Sequence, residues 1–234
     1  MKYHFAILLF LTLASPFLYG ADDAVLNLWS GKSYDLPGNG KWQLVTIHGR
    51  VLAEGNGRIH FQLPALQAGT VLEACLKTGT GKQKLCFYSP RLFNGIPAAA
   101  FDLSLKYEKF LQNTGIDFGD KPNRDIVFSS HIAQGFSGKI MFVFPGKKDF
   151  PLKLDEKWTT ISLHRTRYPG CLSVLYDEKE KVLDNNGNGT YVIMKKNGRE
   201  VIVFSPDFDL ENIENVLLIK YIIEHNIHSK GAEK

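Results

Sequence analysis

Two stretches of this chain, DIVFSS at Asp125–Ser130 and KIMFVF at Lys139–Phe144, are apolar at nearly every position. A strand with one wet face alternates apolar and polar residues, whereas a strand without that alternation has to be covered on both faces. Two such strands commit this half of the chain to a sheet held between other layers, the α/β arrangement. The neighbouring segments agree. Leu103, Tyr107, Phe110 and Leu111 fall on one helical face, with Asp102 placed to cap the helix and Gly115 to end it. Thr159–Leu163 and Leu172–Tyr176 read as further strands. Tyr191–Lys195 and Val201–Ser205 flank Asn197-Gly198, the strongest short-range hairpin signal. A closing helix is expected near Leu210–Glu224, capped by Asp209, with an apolar arc wide enough to dock on the sheet.

The preceding part has a different rhythm. Val25–Trp29, Trp42–Ile47, Arg58–Leu63, Val71–Lys77 and Gln83–Tyr88 are short strand-like runs. Between them stand turn clusters at Pro37-Gly38-Asn39-Gly40, Glu54-Gly55-Asn56-Gly57 and Gly79-Thr80-Gly81. This spacing predicts a small, immunoglobulin-like β-sandwich over residues 22–90. A hairpin folded about Thr80-Gly81 sets Leu76 opposite Leu85, Ala74 opposite Phe87 and Cys75 opposite Cys86. Facing cysteines in an exported protein suggest a disulfide that pins register, the other reading being two reduced thiols. The fold expected is thus α/β plus all-β: a β-sandwich, then an α/β domain over 91–228, with 229–234 a disordered tail.

Export is read from the start of the chain. Lys2 leads an apolar run from Phe5 to Ala14, Ser15-Pro16 breaks it, and the small residues Gly20 and Ala21 follow. That is the layout of a secretory signal peptide over residues 1–20. The run is about half the ~20 residues a membrane span needs, and Val216–Ile223 is interrupted by Lys220, so no span is expected after signal removal. The expected location is periplasmic or extracellular. The 28 Lys+Arg against 24 Asp+Glu give +4, spread along the chain, too weak a bias for a nucleic-acid partner.

Segment 95–228, above all GREVIVFSPDFDLENIENVLLIKYIIEH at 198–225, resembles the closing strand and helix of class I glutamine amidotransferase-like domains. The resemblance implies a flavodoxin-like α/β module of the kind found beside β-sandwiches in exported bacterial proteins. It also implies a non-catalytic relative. The family nucleophile is a Cys in a Gly-x-Cys-x-Gly elbow, but Cys171 stands in YPGCLS, ahead of a strand and without the second glycine. The family's His-x-Glu pair has no match, the later His225 and His228 lying at the C-terminal end.

Several residue groups are candidates for chemistry. His164, Arg165, Arg167 and Tyr168 follow a predicted strand and can grip a carboxylate, phosphate or sugar, or form a solvated loop. Ser130 and His131, with His164, offer a hydrolase constellation, although no G-x-S-x-G elbow surrounds the serine. Asp184, Asn186 and Asn188 match the first half of a calcium loop, but Lys195 stands where the bidentate Glu belongs; a turn explains them as well. Asn188-Gly189-Thr190 is a glycosylation sequon. Asp207, Asp209, Glu211 and Glu214 suit a helix start through its dipole. No cofactor is indicated. The function expected is an exported, non-catalytic binding or interaction module of the bacterial envelope, with carbohydrate or an envelope protein as partner. The alternative is a secreted hydrolase of glycans or esters.

Overall fold

The computed structural model describes residues 25–119, 124–133, 135–154, 160–164, 175–177, 182–184 and 191–228. The N-terminal part contains β1 (Val25–Trp29), β2 (Ser33–Leu36), β3 (Lys41–Thr46), β4 (Val51–Asn56), β5 (Ile59–Gln62), β6 (Val71–Thr78) and β7 (Gly81–Tyr88). Five of them form a sheet in the order β1-β7-β6-β3-β4, and β2 pairs with β5. Alternate residues of these strands, including Leu28, Trp42, Leu44, Ile59, Phe61, Leu76, Leu85 and Phe87, close one apolar core. Burying such side chains supplies about 1.5–3 kcal/mol each, which lets so small a unit hold its shape.

Two of these strands were invisible as apolar runs. β2 and β4 are exposed or half-buried throughout; β2 reads SYDL, and the apolar start of β4, Val51-Leu52-Ala53, runs straight into Glu54-Gly55-Asn56. Glu54-Gly55-Asn56 reads as a turn but belongs to β4, where Gly55 pairs with Trp42. A Cβ at Gly55 would lie 2.7 Å from the Trp42 ring, so this glycine makes room for an indole rather than bending the chain.

The β6–β7 register also differs from the expectation. Ala74 faces Leu85, Cys75 faces Lys84 and Cys86 faces Glu73. The turn is centred one residue earlier than Thr80-Gly81, which slides every pair by two and preserves the faces. Cys75 and Cys86 therefore share a face but sit diagonally, and both thiols are free. Diagonal neighbours on adjacent strands are about 7–8 Å apart, beyond the usual disulfide span.

The second part contains β8 (Ile96–Phe101), α1 (Leu105–Asn113), β9 (Ile116–Phe118), β10 (Ile126–Ser129), β11 (Ile140–Val143) and β12 (Leu152–Lys153). It continues with β13 (Thr160–His164), β14 (Leu175–Asp177), β15 (Val182–Asp184), β16 (Tyr191–Lys196), β17 (Arg199–Phe204) and α2 (Ile213–His228). A seven-stranded sheet runs β13-β16-β17-β11-β10-β8-β9. From β9 to β17 the strands are parallel, and β16 and β13 complete the sheet antiparallel. β10 and β11 are buried at every residue, as unalternated strands must be.

Both faces of that sheet are covered, by different layers. Ile126, Phe128, Ile140, Phe142, Ile202 and Phe204 point to the side of α1 and α2, where Leu111, Val216, Ile219 and Ile223 meet them. Phe128 stacks on Phe142 at 5.1 Å and Phe144 on Phe204 at 5.0 Å, a row of rings crossing the strands. Val127, Met141, Val143, Val201 and Val203 point the other way, onto Leu154 and Leu183 near the small sheet β12-β15-β14. The two parts of the chain also touch. Trp29 is buried in the α/β core, and Asn27 Nδ2 donates to Glu214 Oε1 of α2 at 2.7 Å.

Asn197 and Gly198 both have positive φ, 50° and 73°, joining β16 to β17 in the expected hairpin. Ser104, not Asp102, precedes α1, and Asp102 instead has a left-handed backbone with φ 46°. At the start of α2 the expected cap is displaced as well. Asn212 Oδ1 accepts from Glu214 N–H, while Asp209 Oδ1 accepts from Glu211 N–H one turn earlier. No helix among the described residues is long and apolar enough to cross a membrane.

Candidate functional site

Parallel strands leave their carboxyl ends along one edge, and ligands of open α/β sheets enter where successive connections diverge. Here the divergence falls between β8 and β10. From β8 the chain passes through α1 to β9 on one side, while from β10 it continues to β11 on the other. The residues leaving these two strands are Phe101 and Asp102 from β8, and Ser129, Ser130 and His131 from β10.

Their geometry is specific. His131 Nε2 lies 3.9 Å from Asp102 Oδ2, and the His131 ring meets Phe101 edge-on at a centroid distance of 6.2 Å. Phe101 is 49% exposed, unusual for a phenyl ring beside a core strand. Ser129 is fully buried, and its Oγ accepts from His131 N–H at 3.2 Å, fixing where the histidine leaves the strand. Asp102 has φ 46°, in the left-handed region that Asp and Asn enter more often than other non-glycine residues and that gathers at binding sites.

Along the same edge, one strand spacing from β10 at β11 and two at β17, roughly 5–10 Å away, lies a second polar group. Lys147 Nζ pairs with Asp207 Oδ1 at 2.6 Å, while Asp207 Oδ2 is buried without a hydrogen-bond partner. Asp149 Oδ2 accepts from Gly146 N–H at 2.6 Å, and Tyr107 OH donates to Phe208 O at 3.5 Å. Burial raises the Tyr107 pKa most; the charges of Asp209 and Asp207 push the same way and Lys106 opposes them. This part of the edge thus offers acceptor carboxylates, the His131 ring and the exposed Phe101 ring, a set suited to hydroxyl-rich ligands.

The other candidates separate from this site. His164 ends β13 opposite Tyr191, at the same sheet edge, but four strand spacings from β10, about 19 Å. Arg165, Arg167, Tyr168 and Cys171 lie outside the described residues, as do residues 1–20 and 229–234. Asp184 is the last residue of β15, and Asn186 and Asn188 lie outside the described residues; among those described, no group of three metal-binding side chains occurs. Ser130 Oγ makes no hydrogen bond to a histidine ring among the described residues, and the serine that His131 meets, through its backbone N–H, is Ser129. Phe101 and Asp102 escaped the sequence reading because nothing in the sequence states that β8 lies beside β10.

No family model matches this chain, and no curated protein matches it. Among solved structures, a sialyltransferase from Photobacterium damsela is 13% identical, with a TM-score of 0.23. The match covers 53% of this chain and 30% of that one, and at such a score it carries no argument about fold or function.

Proposed function

We propose that this chain is an exported, non-catalytic binding module that seats a carbohydrate at the carboxyl edge of its parallel sheet. Phe101 stacks on the apolar face of a sugar ring, while Asp102 and His131 hydrogen-bond its hydroxyls. The observation that carries this reading is Asp102 itself, an acidic residue kept at φ 46° beside an exposed phenyl ring at the point where the connections diverge. The parallel order β9-β8-β10-β11-β17 corresponds to the 2-1-3-4-5 order of flavodoxin-like sheets, which supports a degenerate amidotransferase-like ancestry for this half. The signal-like segment at residues 1–20 supports export to the periplasm or beyond. A hydrolase reading is weaker, since Ser130 Oγ makes no hydrogen bond to the His131 ring among the described residues and His164 lies four strand spacings from β10.

The test is a thermal-shift screen of the chain from Ala21 onward against neutral mono- and oligosaccharides. A bound sugar at a hundred times its Kd adds about 2.7 kcal/mol, and Phe101→Ala and His131→Ala should each abolish the gain. A flat screen rejects the carbohydrate seat. Glycan or ester turnover that disappears in Ser130→Ala rejects the non-catalytic reading.

A further inference from the structure

The fold brings Lys41, Lys77, Lys82 and Lys84 onto one face of the N-terminal sheet. In the five-stranded sheet the core residues Leu44, Ala74, Leu76, Leu85 and Phe87 point inward, so Lys41, Gln43, Cys75, Lys77, Lys82 and Lys84 point outward. Lys77 stands directly opposite Lys82, and Lys84, opposite Cys75, is its diagonal neighbour. On the next strand Gln43 faces Lys77, and Lys41 shares with Lys77, Thr78 and Gly79 an open depression of about 250 Å³. Among the described residues the same face carries two carboxylates, Glu54 held by Gln43 Nε2 at 2.8 Å and Glu73 opposite Cys86. Four ammoniums therefore outnumber the acids at the hairpin end of the sheet.

The fold leaves this end open. At the opposite end of the same face, Trp29 and Tyr88 are packed into the α/β core and Asn27 is bonded to α2. Like charges set directly opposite on neighbouring strands cost stability, so an arrangement that concentrates them gains from a bound anion that lies between them. Their spacing is that of a chain of charges rather than a single one. Opposed side chains on adjacent strands start about 5 Å apart and alternate residues along a strand about 7 Å apart.

We infer that this face docks a linear polyanionic polysaccharide, one bearing sulfate or phosphate groups on successive sugars. Lys41, Lys77, Lys82 and Lys84 each meet one anionic group. A nucleic acid fits less well: single-strand binders stack bases on aromatic side chains, and the one aromatic residue lining the depression, Trp42, is buried in the core. The surface is separate from the Phe101–His131 seat and stands or falls independently of it.

The experiment measures binding of the chain from Ala21 onward to a heparin oligosaccharide, with phosphatidylglycerol vesicles and a single-stranded oligonucleotide as comparison probes. In low salt, near 50 mM, the triple variant Lys77→Gln/Lys82→Gln/Lys84→Gln is expected to bind heparin about tenfold more weakly or worse, with a shallower salt dependence. The charge-matched variant Lys106→Gln/Lys109→Gln/Lys153→Gln, on the other domain, should stay within about twofold of the parent because distant exposed charges are screened. Replacing the same three sheet lysines by Arg should keep binding and shows that any loss is not misfolding. Equal losses in the two Gln variants would mean that net charge alone drives binding and would overturn the proposal. Tighter binding to vesicles or to the oligonucleotide than to heparin would overturn it too.

Discussion

Replacing Asp102 by Gly and by Ala separates backbone strain from side-chain loss at the proposed seat. Both variants remove the carboxylate, so whatever the Asp102–His131 contact contributes cancels between them. That contribution is small in any case, since the partners are 74% and 46% exposed and 3.9 Å apart. At an ordinary backbone position glycine is less stable than alanine by about 0.5–1 kcal/mol, through its freedom in the unfolded chain. At φ 46° a Cβ costs roughly 1–2 kcal/mol that glycine avoids. The second quantity exceeds the first, so the usual order should invert, with Asp102→Gly more stable than Asp102→Ala by roughly 0.5–1 kcal/mol. For a chain of this size that is a Tm difference of about 1–4 °C, readable by calorimetry or by urea unfolding at equal m-values. Neither variant should keep the sugar-induced shift. If Asp102→Ala proves as stable as Asp102→Gly, Asp102 is not held in the left-handed region, and the argument that the site is preorganised around it fails.

Other perturbations have equally definite signs. Gly138→Ala should destabilise by about 1–3 kcal/mol or more in denaturant titration, because a Cβ there meets backbone, Arg124 O at 2.5 Å and Asp125 O at 3.1 Å, which cannot swing aside. Tyr34, Tyr107 and Tyr191 all have pKa values raised above the ordinary 10.0, chiefly by burial. A raised folded pKa gives stability that is whole below pH 10.0 and drains as pH climbs through the folded values, so Tm should be flat from pH 8 to 9 and fall above 10, with a smaller fall in Tyr34→Phe. Burial first and the Glu73 charge second raise the Cys86 thiol, so iodoacetamide should label Cys86 more slowly in the folded chain than in the urea-unfolded chain, and mass mapping should find no bridge between Cys86 and Cys75. A Cys75–Cys86 disulfide in the mapped protein would contradict the two-residue register.

Local pattern carried much of the architecture. The unalternated runs around Ile126 and Ile140 demanded coverage on both faces and received it, and Asn197-Gly198 turned the last hairpin because both residues accept positive φ. The broad apolar arc of α2 was legible for the same reason: periodicity is a property of neighbours in sequence. Edge strands such as β2 and β4 were not, since an exposed strand has little apolar signal to show.

What tertiary structure decided is which distant segments lie side by side. Nothing local distinguishes a hairpin centred on Gly79-Thr80 from one centred a residue later. That choice slid Cys75 away from Cys86, brought Lys77 opposite Lys82, and depends on packing Ala74 and Leu85 against a core shared with β3. Asp102 resembled a helix cap until β10 was placed beside β8, bringing His131 to it. Side-chain period marked the buried faces of the core strands and of α2, because that period is a property of one strand or helix alone. The site and the lysine face belong to the tertiary structure, because both join residues whose proximity is set by sheet order and register, quantities written in the packing of the whole core.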